Sequence, residues 1–441
     1  MSNNPLSIKE INIEQLFGFY DYHIPLIETD ISKLLILYGD NGSGKTTLLK
    51  IIFYLLSVRD GSGFKSKLAK IKFKSIKIKL ENDIEIGATR EDCNTLSYHY
   101  YVKIKNGFEK SVLMEADENG SIVMQTQSKK DNDSYNLIIK HLKELKIHTF
   151  YLSDDRKIHS SITSIADEDE YDNQINLSQK YRDVDFFKRK NSHRNNLTLE
   201  PAIEKLLNWI RNKTISGSRT GEKASQVIFS DLINNYINLT DSENFIKSKS
   251  DIIQELDEIE KKIPSYVKLG LIENFETKSL RTSIKKVKTE EQSKYLSSII
   301  TPFLESINAK LKALEKVEQT VNLLISIIND YFSNKQISFN LTTGFILTQN
   351  DNPIDFDWLS SGEKQLLLLL INTISSTDEA TIFIIDEPEI SLNIKWQRKL
   401  INTLLTFSID KNIQFIIATH SIELLSANRA HVSKLEDKNE R

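Results

Sequence analysis

Eight consecutive residues, 39 to 46, combine glycines with a lysine and a threonine directly after an apolar run. They fit the spacing G-x-x-x-x-G-K-[ST] between a predicted buried strand and a predicted helix, which is the context this motif requires. Small residues let backbone N–H groups surround phosphate oxygens, the lysine neutralises the β- and γ-phosphates, and the threonine hydroxyl can bind Mg²⁺. The segment therefore predicts a site for ATP and Mg²⁺. Its residues are Gly39, Asp40, Asn41, Gly42, Ser43, Gly44, Lys45, Thr46 and the adjoining Thr47.

Two acids follow a second apolar run, residues 382 to 385. A strand over this run places Asp386 at its end, where a carboxylate can hold Mg²⁺ directly or through water. Glu387 is then close to the attacking water, as its general base or as the group that orients it. Two adjacent acids could also be a solvated strand end. The phosphate segment elsewhere in the chain favours the catalytic interpretation.

A histidine follows a third apolar run, residues 415 to 418. Ligands of parallel sheets bind at the carboxyl ends of the strands, so His420 is placed to reach a γ-phosphate. An isolated histidine would more often be a capping residue. Its position after the last predicted strand favours a functional role.

The segment 359–365 reads Leu-Ser-Ser-Gly-Glu-Lys-Gln and precedes a helical pattern. A Ser-x-Gly-Glu segment ahead of a helix indicates an ATP held between two copies of the chain. Ser360, Ser361, Gly362 and Glu363 are therefore predicted to contact the nucleotide. The functional unit is predicted to be a homodimer or a higher homo-oligomer.

The composition excludes several classes of protein. A formal charge of −3 over 441 residues gives no overall attraction to nucleic acid or to an anionic membrane. Cys93 is the only cysteine, which excludes a disulfide framework and a cysteine-based metal cluster. We expect no secretory leader and no membrane span, since no apolar run reaches about 18 residues. These features predict a cytoplasmic protein, and the short tail after His420 predicts no attached nuclease domain.

The strands and helices expected on either side of these motifs predict an α/β fold of the P-loop NTPase type. Strand and helix patterns alternate near both ends of the chain. We expect residues 1–156 and 336–441 to form the two parts of one ATPase domain, and residues 157–335 to form a loop and a helical insertion. Within the first part, residues 64–124 show short alternating runs that are typical of an antiparallel β subdomain.

The insertion divides into two stretches of different composition. Residues 167–196 have few apolar positions and predict an exposed loop. Residues 199–332 have helical periodicity, with Pro264 and Pro302 expected near helix ends. The helical part is too short for a long coiled-coil arm, so we expect a compact platform.

Together the motifs resemble those of the ABC-type ATPase superfamily, in the soluble AAA_21 and OLD-like branch related to the SMC and RecF ATPases. The likeness is strongest to ATPase subunits of anti-phage defence systems such as Septu and PARIS. These carry Asp-Glu-Pro-Glu-Ile-Ser-Leu after the acid strand, here residues 386–392. The resemblance covers residues 8–58, 145–156 and 336–425, and it implies an ABC-type fold with an unmatched middle region.

The resemblance also implies roles at a subunit interface. Ser360 and Gly362 would act in trans, closing on the γ-phosphate held by Lys45 of the other subunit. Residues 391–393 would cross the same interface, although the family usually carries Asp or His where this chain has Asn393.

Two further assignments have plain structural alternatives. The segment Ser153-Asp154-Asp155-Arg156 resembles one found in the defence ATPases and would replace the glutamine that senses γ-phosphate in transporters. For Asp155 and Arg156 an ordinary turn is an equal alternative. Phe17 and Phe19, expected in the first strand, could contact adenine, but core packing is the preferred interpretation.

The leading functional interpretation is an ATP-driven switch that controls a separate effector, an HNH or TOPRIM nuclease, in a prokaryotic anti-phage system. The resemblance supplies the defence assignment, whereas the motifs supply the ATP switch. The alternative is a RecF-like DNA repair or recombination ATPase that uses the lysines of residues 70–79 on duplex DNA. A solvated strand face explains those lysines better. A transporter subunit fits poorly because the insertion is large.

Overall fold

The chain forms two compact units, Met1–Leu197 with Ser376–Arg441, and Thr198–Ser375. The structure is a computed structural model. It describes residues 7–25, 33–59, 62–81, 83–104, 107–122, 129–154, 158–161, 199–237, 247–274, 277–375, 381–409 and 413–435. The loop predicted at 167–196 lies outside the described residues.

Strands and helices are numbered along the chain. The strands are β1 (Ile8–Leu16), β2 (Tyr20–Pro25), β3 (Leu34–Tyr38), β4 (Ser75–Leu80), β5 (Ile84–Thr89), β6 (Tyr98–Ile104), β7 (Phe108–Met114), β8 (His148–Leu152), β9 (Ile158–Ser160), β10 (Gln336–Asn340), β11 (Gly344–Gln349), β12 (Asn352–Ile354), β13 (Thr381–Asp386), β14 (Ile413–Ala418) and β15 (Val432–Lys434). The helices are α1 (Lys45–Leu56), α2 (Phe64–Ala69), α3 (Lys129–Glu144), α4 (Leu199–Ile237), α5 (Lys249–Lys268), α6 (Thr277–Lys286), α7 (Glu290–Tyr331), α8 (Ser361–Ser375), α9 (Ile394–Phe407) and α10 (Ile422–Ala427).

The first unit is built on a six-stranded sheet with the order β15-β3-β14-β13-β8-β9. All neighbouring strands run parallel except β8 and β9. Every residue of β14 is buried, as expected for a parallel strand covered on both faces. Parallel pairing brings the carboxyl ends of β3, β14, β13 and β8 to one edge of the sheet. The predicted α/β fold of the P-loop NTPase type is confirmed.

A second sheet of the same unit is antiparallel, with the order β2-β1-β4-β5-β6-β7. It contains the strands predicted within residues 64–124, which confirms the antiparallel β subdomain. Its inner positions alternate with outer ones along β1 and β4, and the inner isoleucines join the core that also covers α1.

The lysines considered for DNA binding do not form one continuous face. β4 begins at Ser75, so only Lys77 and Lys79 belong to the strand. Lys79 lies opposite Glu10 on one neighbouring strand and Glu85 on the other. Acids and bases therefore alternate on this surface, and it gives the phosphate-binding interpretation no support.

The second unit is dominated by α4 and α7, two long helices that pack against each other. A Cβ atom at Gly217 would lie 2.8 Å from the carbonyl oxygen of Ala313, and one at Gly221 would lie 2.9 Å from Cα of Lys310. The pairing of later residues in α4 with earlier residues in α7 shows that the helices are antiparallel. The two glycines permit an approach that any side chain would prevent.

Residues 336–375 form the three-stranded sheet β10-β11-β12 and helix α8. They are predicted above to belong with residues 376–441 in the ATPase domain. Their contacts place them in the unit of the long helices. Helix α8 is buried along most of its length and packs against α4. The sequence pattern does not show which element this helix packs against. Its packing against α4 explains why residues 336–375 belong to the unit of the long helices.

The two prolines of the helical region lie inside helices. Pro264 lies in α5 shortly before its end at Lys268, near a helix end as expected, whereas Pro302 lies in the interior of α7, so the expectation is wrong for Pro302. A proline inside a helix costs about 3 kcal/mol, and buried side chains along both helices outweigh that cost. Among the described helices, none has a segment long and apolar enough to span a bilayer.

Candidate active site

Residues 39–44 join β3 to α1, and we call them the phosphate loop. Lys45 is the first residue of the helix. Gly42 and Gly44 have φ angles of 86° and 82°, in the left-handed region that favours glycine. A Cβ atom at Gly44 would also lie 3.0 Å from Leu16 and 3.1 Å from Phe17. Backbone conformation and the neighbouring hairpin therefore both require glycine where the loop turns into the helix.

The Lys45 ammonium is held by its own loop. Nζ donates to the carbonyl oxygens of Gly39 at 2.8 Å and Asp40 at 2.9 Å, and the side chain is buried. Burial lowers the pKa of Lys45, while nearby carboxylates, first that of Glu387, oppose the shift. The cation thus faces a cluster of acids across the loop, in the position from which a lysine neutralises bound phosphate.

Asp386 ends β13 and its side chain is only 2% exposed. The Tyr151 hydroxyl donates to Oδ2 at 3.4 Å, whereas Oδ1 is buried without a hydrogen-bond partner among the described residues. The Thr46 side chain interacts with the same carboxyl group. A partnerless carboxylate oxygen beside a hydroxyl matches the oxygen ligands that Mg²⁺ prefers. Thr46 and Asp386 therefore fit a bound Mg²⁺.

The environment of Asp386 favours its protonated form when no cation is bound. Burial raises the pKa of Asp386 to about 6, and the neighbouring acids Asp154 and Glu387 act in the same direction. The Thr46 side chain and the Lys50 ammonium oppose them. Aspartate titrates near pH 4 in unfolded chains. The folded chain consequently binds more protons than the unfolded chain between about pH 4 and 6.

We expect stability without ligands to depend on pH through Asp386. Because its folded pKa is raised, the contribution of this group to stability falls as the pH rises from about 4 to 6. Wild type should lose about 2–3 kcal/mol relative to Asp386→Asn across this window. Thermal unfolding of both proteins between pH 4.5 and 7.5, without nucleotide or Mg²⁺, measures the difference. A difference in Tm that is constant with pH would contradict the expectation.

Glu387 and His420 meet at the carboxyl edge of the sheet. Glu387 has a φ of 47°, a left-handed conformation that costs a non-glycine residue about 1–3 kcal/mol. Its N–H donates to the carbonyl oxygen of Ala418 at 2.9 Å, which ties this turn to the end of β14. Oε1 of Glu387 then lies 3.7 Å from Nε2 of His420. The two side chains predicted to act on the γ-phosphate and its attacking water are therefore neighbours.

Sequence reasoning missed Glu389, which holds the turn that carries the histidine. Oε1 of Glu389 accepts hydrogen bonds from the Thr419 hydroxyl at 2.6 Å and from the N–H groups of His420 at 2.9 Å and Ser421 at 3.2 Å. The available signal was a third acid in the run Asp-Glu-Pro-Glu, but its partners lie some thirty positions away. Glu389 therefore acts as a positioning residue.

Replacement of Glu389 by alanine should loosen this turn, because the Thr419 hydroxyl and the His420 N–H lose their acceptor, whereas the Ser421 N–H keeps the Thr419 hydroxyl oxygen at 2.9 Å. We expect kcat for ATP to fall about 10-fold, equivalent to about 1.4 kcal/mol, with little change in KM. The unsatisfied donors should also lower Tm, since each costs about 1–3 kcal/mol when buried. Glu389→Gln keeps an acceptor oxygen and should recover most of the kcat.

The matched control for this prediction is Glu423→Ala. Glu423 is an acid of the adjacent helix α10 whose carboxylate pairs with Arg398 at 2.8 Å. Its removal should leave kcat unchanged. Steady-state phosphate release by the three variants measures the effect, and a wild-type kcat in Glu389→Ala would show that the histidine turn does not depend on this carboxylate.

The Ser-x-Gly-Glu segment begins α8 in the second unit. The Glu363 N–H donates to the Ser360 hydroxyl at 3.3 Å, and the Ser360 N–H donates to the Glu363 carboxylate at 2.7 Å. Lys335, also missed from the sequence, donates to both carboxylate oxygens of Glu363 at 2.8 and 3.1 Å. Burial would raise the pKa of Glu363, but these bonds hold it below its usual value. Ser360 and Ser361 are exposed, whereas Gly362 is buried.

The aromatic residues ahead of the phosphate loop lie in a turn and not in the first strand. β1 ends at Leu16, and Phe17 follows it with a φ of 59°. Phe17 is half-buried against the phosphate loop, in agreement with the packing role, while the ring of Phe19 is 56% exposed. The expected strand position is therefore wrong because the hairpin turns earlier than the apolar pattern indicates.

The structure describes two of the four remaining residues that the sequence singled out, Asn393 and Asp154. Asn393 caps α9, since its side chain accepts a hydrogen bond from the Trp396 N–H at 3.0 Å. Asp154 lies at the same sheet edge and is one of the acids that raise the pKa of Asp386. Asp155 and Arg156 lie outside the described residues.

Comparison with known proteins supports a nucleotide-dependent enzyme. The profile of the family described as "AAA domain, putative AbiEii toxin, Type IV TA system" matches residues 34–426. The Retron Ec83 probable ATPase of Escherichia coli is 27% identical over 181 residues, or 34% of this chain and 33% of the retron protein. A cytochrome c biogenesis ATP-binding export protein, CcmA of Xanthomonas oryzae pv. oryzae, is 44% identical over 50 residues, or 11% of this chain and 21% of CcmA.

The chain thus spans about a third or less of the length of these curated relatives. Among solved structures, the Smc head domain derived from Pyrococcus furiosus, bound to the C-terminal domain of ScpA, aligns with 96% of this chain and 91% of its own. The identity is 12% and the TM-score is 0.38.

Proposed function

The chain belongs to the family described as "AAA domain, putative AbiEii toxin, Type IV TA system", and on that premise we propose that it is an ATP-hydrolysing switch that dimerises around ATP and Mg²⁺. One observation carries the proposal. The phosphate loop, the buried Asp386, Glu387 and His420 converge at the carboxyl edge of one parallel sheet, the place where such sheets bind their ligands.

Each of these groups has a separate task in the proposed reaction. The N–H groups of the phosphate loop and Lys45 hold the triphosphate, and Thr46 with Asp386 holds Mg²⁺, which supplies charge neutralisation when bound. Glu387 orients the attacking water and accepts its proton as the oxygen bonds to the γ-phosphorus and the bond to ADP breaks. His420, next to Glu387, donates a hydrogen bond to the γ-phosphate.

The second copy contributes the Ser-x-Gly-Glu segment to this site. Ser360 and Ser361 are exposed at the N-terminus of α8, where the helix dipole favours an anion. Lys335 and Glu363 hold the segment in place. A γ-phosphate bound by the other copy is the anion that the proposal assigns to it.

Complementation between subunits tests this arrangement. Lys45→Ala and Ser360→Arg chains should each be inactive alone, because every site in their homodimers lacks one half. Mixing them should restore part of the ATPase activity, since a mixed dimer has one site with an intact lysine from one chain and an intact serine from the other. No recovery on mixing, with both variants folded, would refute the sharing of the site between copies.

The proposal extends to a separate effector, a nuclease of HNH or TOPRIM type, in prokaryotic anti-phage defence. Support comes from the toxin system named in the family description and from the partial similarity to the retron ATPase. Purification of the tagged chain from its native host, followed by mass spectrometry, tests this step. A stoichiometric nuclease would support it, whereas abundant DNA without a protein partner would favour the repair alternative.

A further inference from the structure

A cavity of about 220 Å³ lies among α1, α2, β8 and β9 of the first unit. It is separate from the phosphate loop, because none of residues 39–47 lines it. The described residues that line it comprise two lysines, four side chains with aromatic rings, one serine and one acid. The ATPase reaction proposed above gives this combination of groups no task.

Aromatic rings form one wall of the cavity. Tyr54 on α1 stacks on Phe64 on α2, with ring centroids 5.5 Å apart and 16° between the planes. His159 meets Phe64 edge-on at 6.4 Å and stacks on Tyr151 at 6.0 Å. Phe64 and Tyr151 are buried, whereas Tyr54 and His159 are half-buried, so part of each of these two rings is open to a ligand. Such a wall suits the flat face of a base, and every base has one.

Two ammonium groups border the same cavity. Lys50 lies on α1, one turn after Thr46, and Lys67 is exposed on α2 with its Nζ 5.1 Å from the centre of the Phe64 ring. In the described part of the chain, neither ammonium forms an ion pair. Asp154 is the one acid among the described lining residues, and it is exposed. The positive charges outnumber the negative one, which favours an anionic ligand.

We propose that this cavity binds a nucleoside monophosphate, with the base against the aromatic wall and the phosphate at Lys50 and Lys67. The group can be a free nucleotide or the 5′ end of a single strand, because both present the same base and phosphate. Lysine binds phosphate as a flexible point charge and needs no fixed bidentate geometry. Sites for drug-sized ligands measure roughly 300–1,000 Å³, so this smaller cavity limits the ligand to one base and one phosphate.

The cavity adjoins the candidate metal site without including its ligands. Tyr151 belongs to the cavity wall, and its hydroxyl donates to Oδ2 of Asp386 at 3.4 Å. Asp386 itself and Thr46 do not line the cavity. The monophosphate would therefore be a second nucleotide beside the ATP assigned to the phosphate loop. Its binding requires no second copy of the chain, so this inference does not depend on the proposed dimer.

The first experiment measures binding of AMP to a Lys45→Ala chain, in which the phosphate loop should no longer hold a nucleotide. In isothermal titration calorimetry, adding Lys50→Ala or Lys67→Ala should raise the Kd about 10-fold, because each change removes a charged contact with phosphate. Lys103→Ala is the matched control, since Lys103 is exposed on β6 of the antiparallel sheet and does not line the cavity. It should leave the Kd for AMP unchanged.

The second experiment tests the aromatic wall in the same Lys45→Ala chain. Ribose 5-phosphate has the phosphate of AMP but no base, so AMP should bind about 10-fold more tightly. Tyr54→Leu should remove most of this preference, whereas Tyr54→Phe retains the ring and should keep it. Equal Kd values for AMP, ribose 5-phosphate and inorganic phosphate would overturn the proposal, because the rings would then recognise nothing.

A third comparison distinguishes the two sources of the monophosphate. Binding of AMP but not of a short 5′-phosphorylated single strand supports a free nucleotide, and tight binding of that strand supports strand ends. Equal binding of the strand with and without its 5′ phosphate overturns the site.

Failure of this inference is distinct from failure of the proposed ATPase. A Kd for AMP that does not respond to changes at Lys50, Lys67 and Tyr54, or no binding of either probe, overturns the cavity as a nucleotide site. Wild-type affinity for ATP, measured separately, reports on the phosphate loop alone.

Discussion

Replacement of Glu387 by glutamine is expected to lower ATP turnover by about 10²- to 10⁴-fold, the range that general bases supply, while ATP binding persists. Glutamine has the same shape and can keep the position beside His420, but it cannot take a proton from water. Because hydrolysis opens the proposed dimer, the variant should accumulate as a long-lived dimer with ATP bound. Single-turnover phosphate release measures the chemical step, and size-exclusion chromatography with light scattering measures the dimer.

Two controls distinguish loss of the Glu387 carboxylate from a general effect of mutation or from misfolding. Glu423→Gln changes another acid near the same sheet edge and should hydrolyse ATP at the wild-type rate. Circular dichroism should give Glu387→Gln a Tm close to that of wild type, since its N–H bond to Ala418 does not involve the side chain. Equal turnover by wild type and Glu387→Gln would remove Glu387 from the catalytic role.

Replacement of Lys45 by alanine is expected to abolish useful ATP affinity. The ammonium is the buried cation of the phosphate loop, and loss of a buried charged partner costs about 2–5 kcal/mol, roughly a 30-fold or greater increase in Kd. The carbonyl oxygens of Gly39 and Asp40 also lose their donor, so the empty loop is less well ordered for phosphate. Isothermal titration calorimetry with ATP and Mg²⁺ measures the loss.

A lysine elsewhere in the unit provides the matched control. Lys103 is exposed on β6, a strand of the antiparallel sheet that does not carry the phosphate loop. Lys103→Ala should bind ATP with the wild-type Kd. If Lys45→Ala retained a Kd within a few fold of wild type, the phosphate loop would not be the nucleotide site. The complementation experiment would then not test a shared site, because it assumes that Lys45→Ala removes one half of it.

The candidate site is assembled from turns that hold one another. Glu387 is tied by its backbone to the end of β14, and Glu389 is tied by its side chain to the turn after that strand. The acid and the histidine consequently cannot move independently of each other. A shift in one turn, such as one caused by a bound partner at α9 or α10, would therefore move the other turn as well.

Local sequence patterns anticipated most of the elements near the site. The apolar runs before the phosphate loop, before Asp386 and before His420 form β3, β13 and β14, because each run is short, apolar on both faces and ends at turn residues. The helix predicted directly after the phosphate loop is α1, which begins at Lys45. These features are local, so neighbouring residues suffice to specify them.

The predictions that failed depended on packing instead of pattern. Pro302 lies in the interior of α7 because the buried face of that helix compensates for the lost backbone bond. The contact of Lys335 with Glu363 and that of Glu389 with the turn that carries His420 could not be predicted from the spacing of residues along the chain. Each of these contacts joins residues from different elements.

By itself the sequence determined which groups this protein can use: a glycine-rich loop with a lysine and a threonine, two adjacent acids and a histidine. Only the tertiary structure decided their arrangement. The sheet order β3-β14-β13 places the histidine turn between the phosphate loop and the acids, although β14 comes last of the three along the chain. The reason is physical, since strand order in a parallel sheet is set by how connecting segments pack over its faces, and that packing involves residues far apart in sequence.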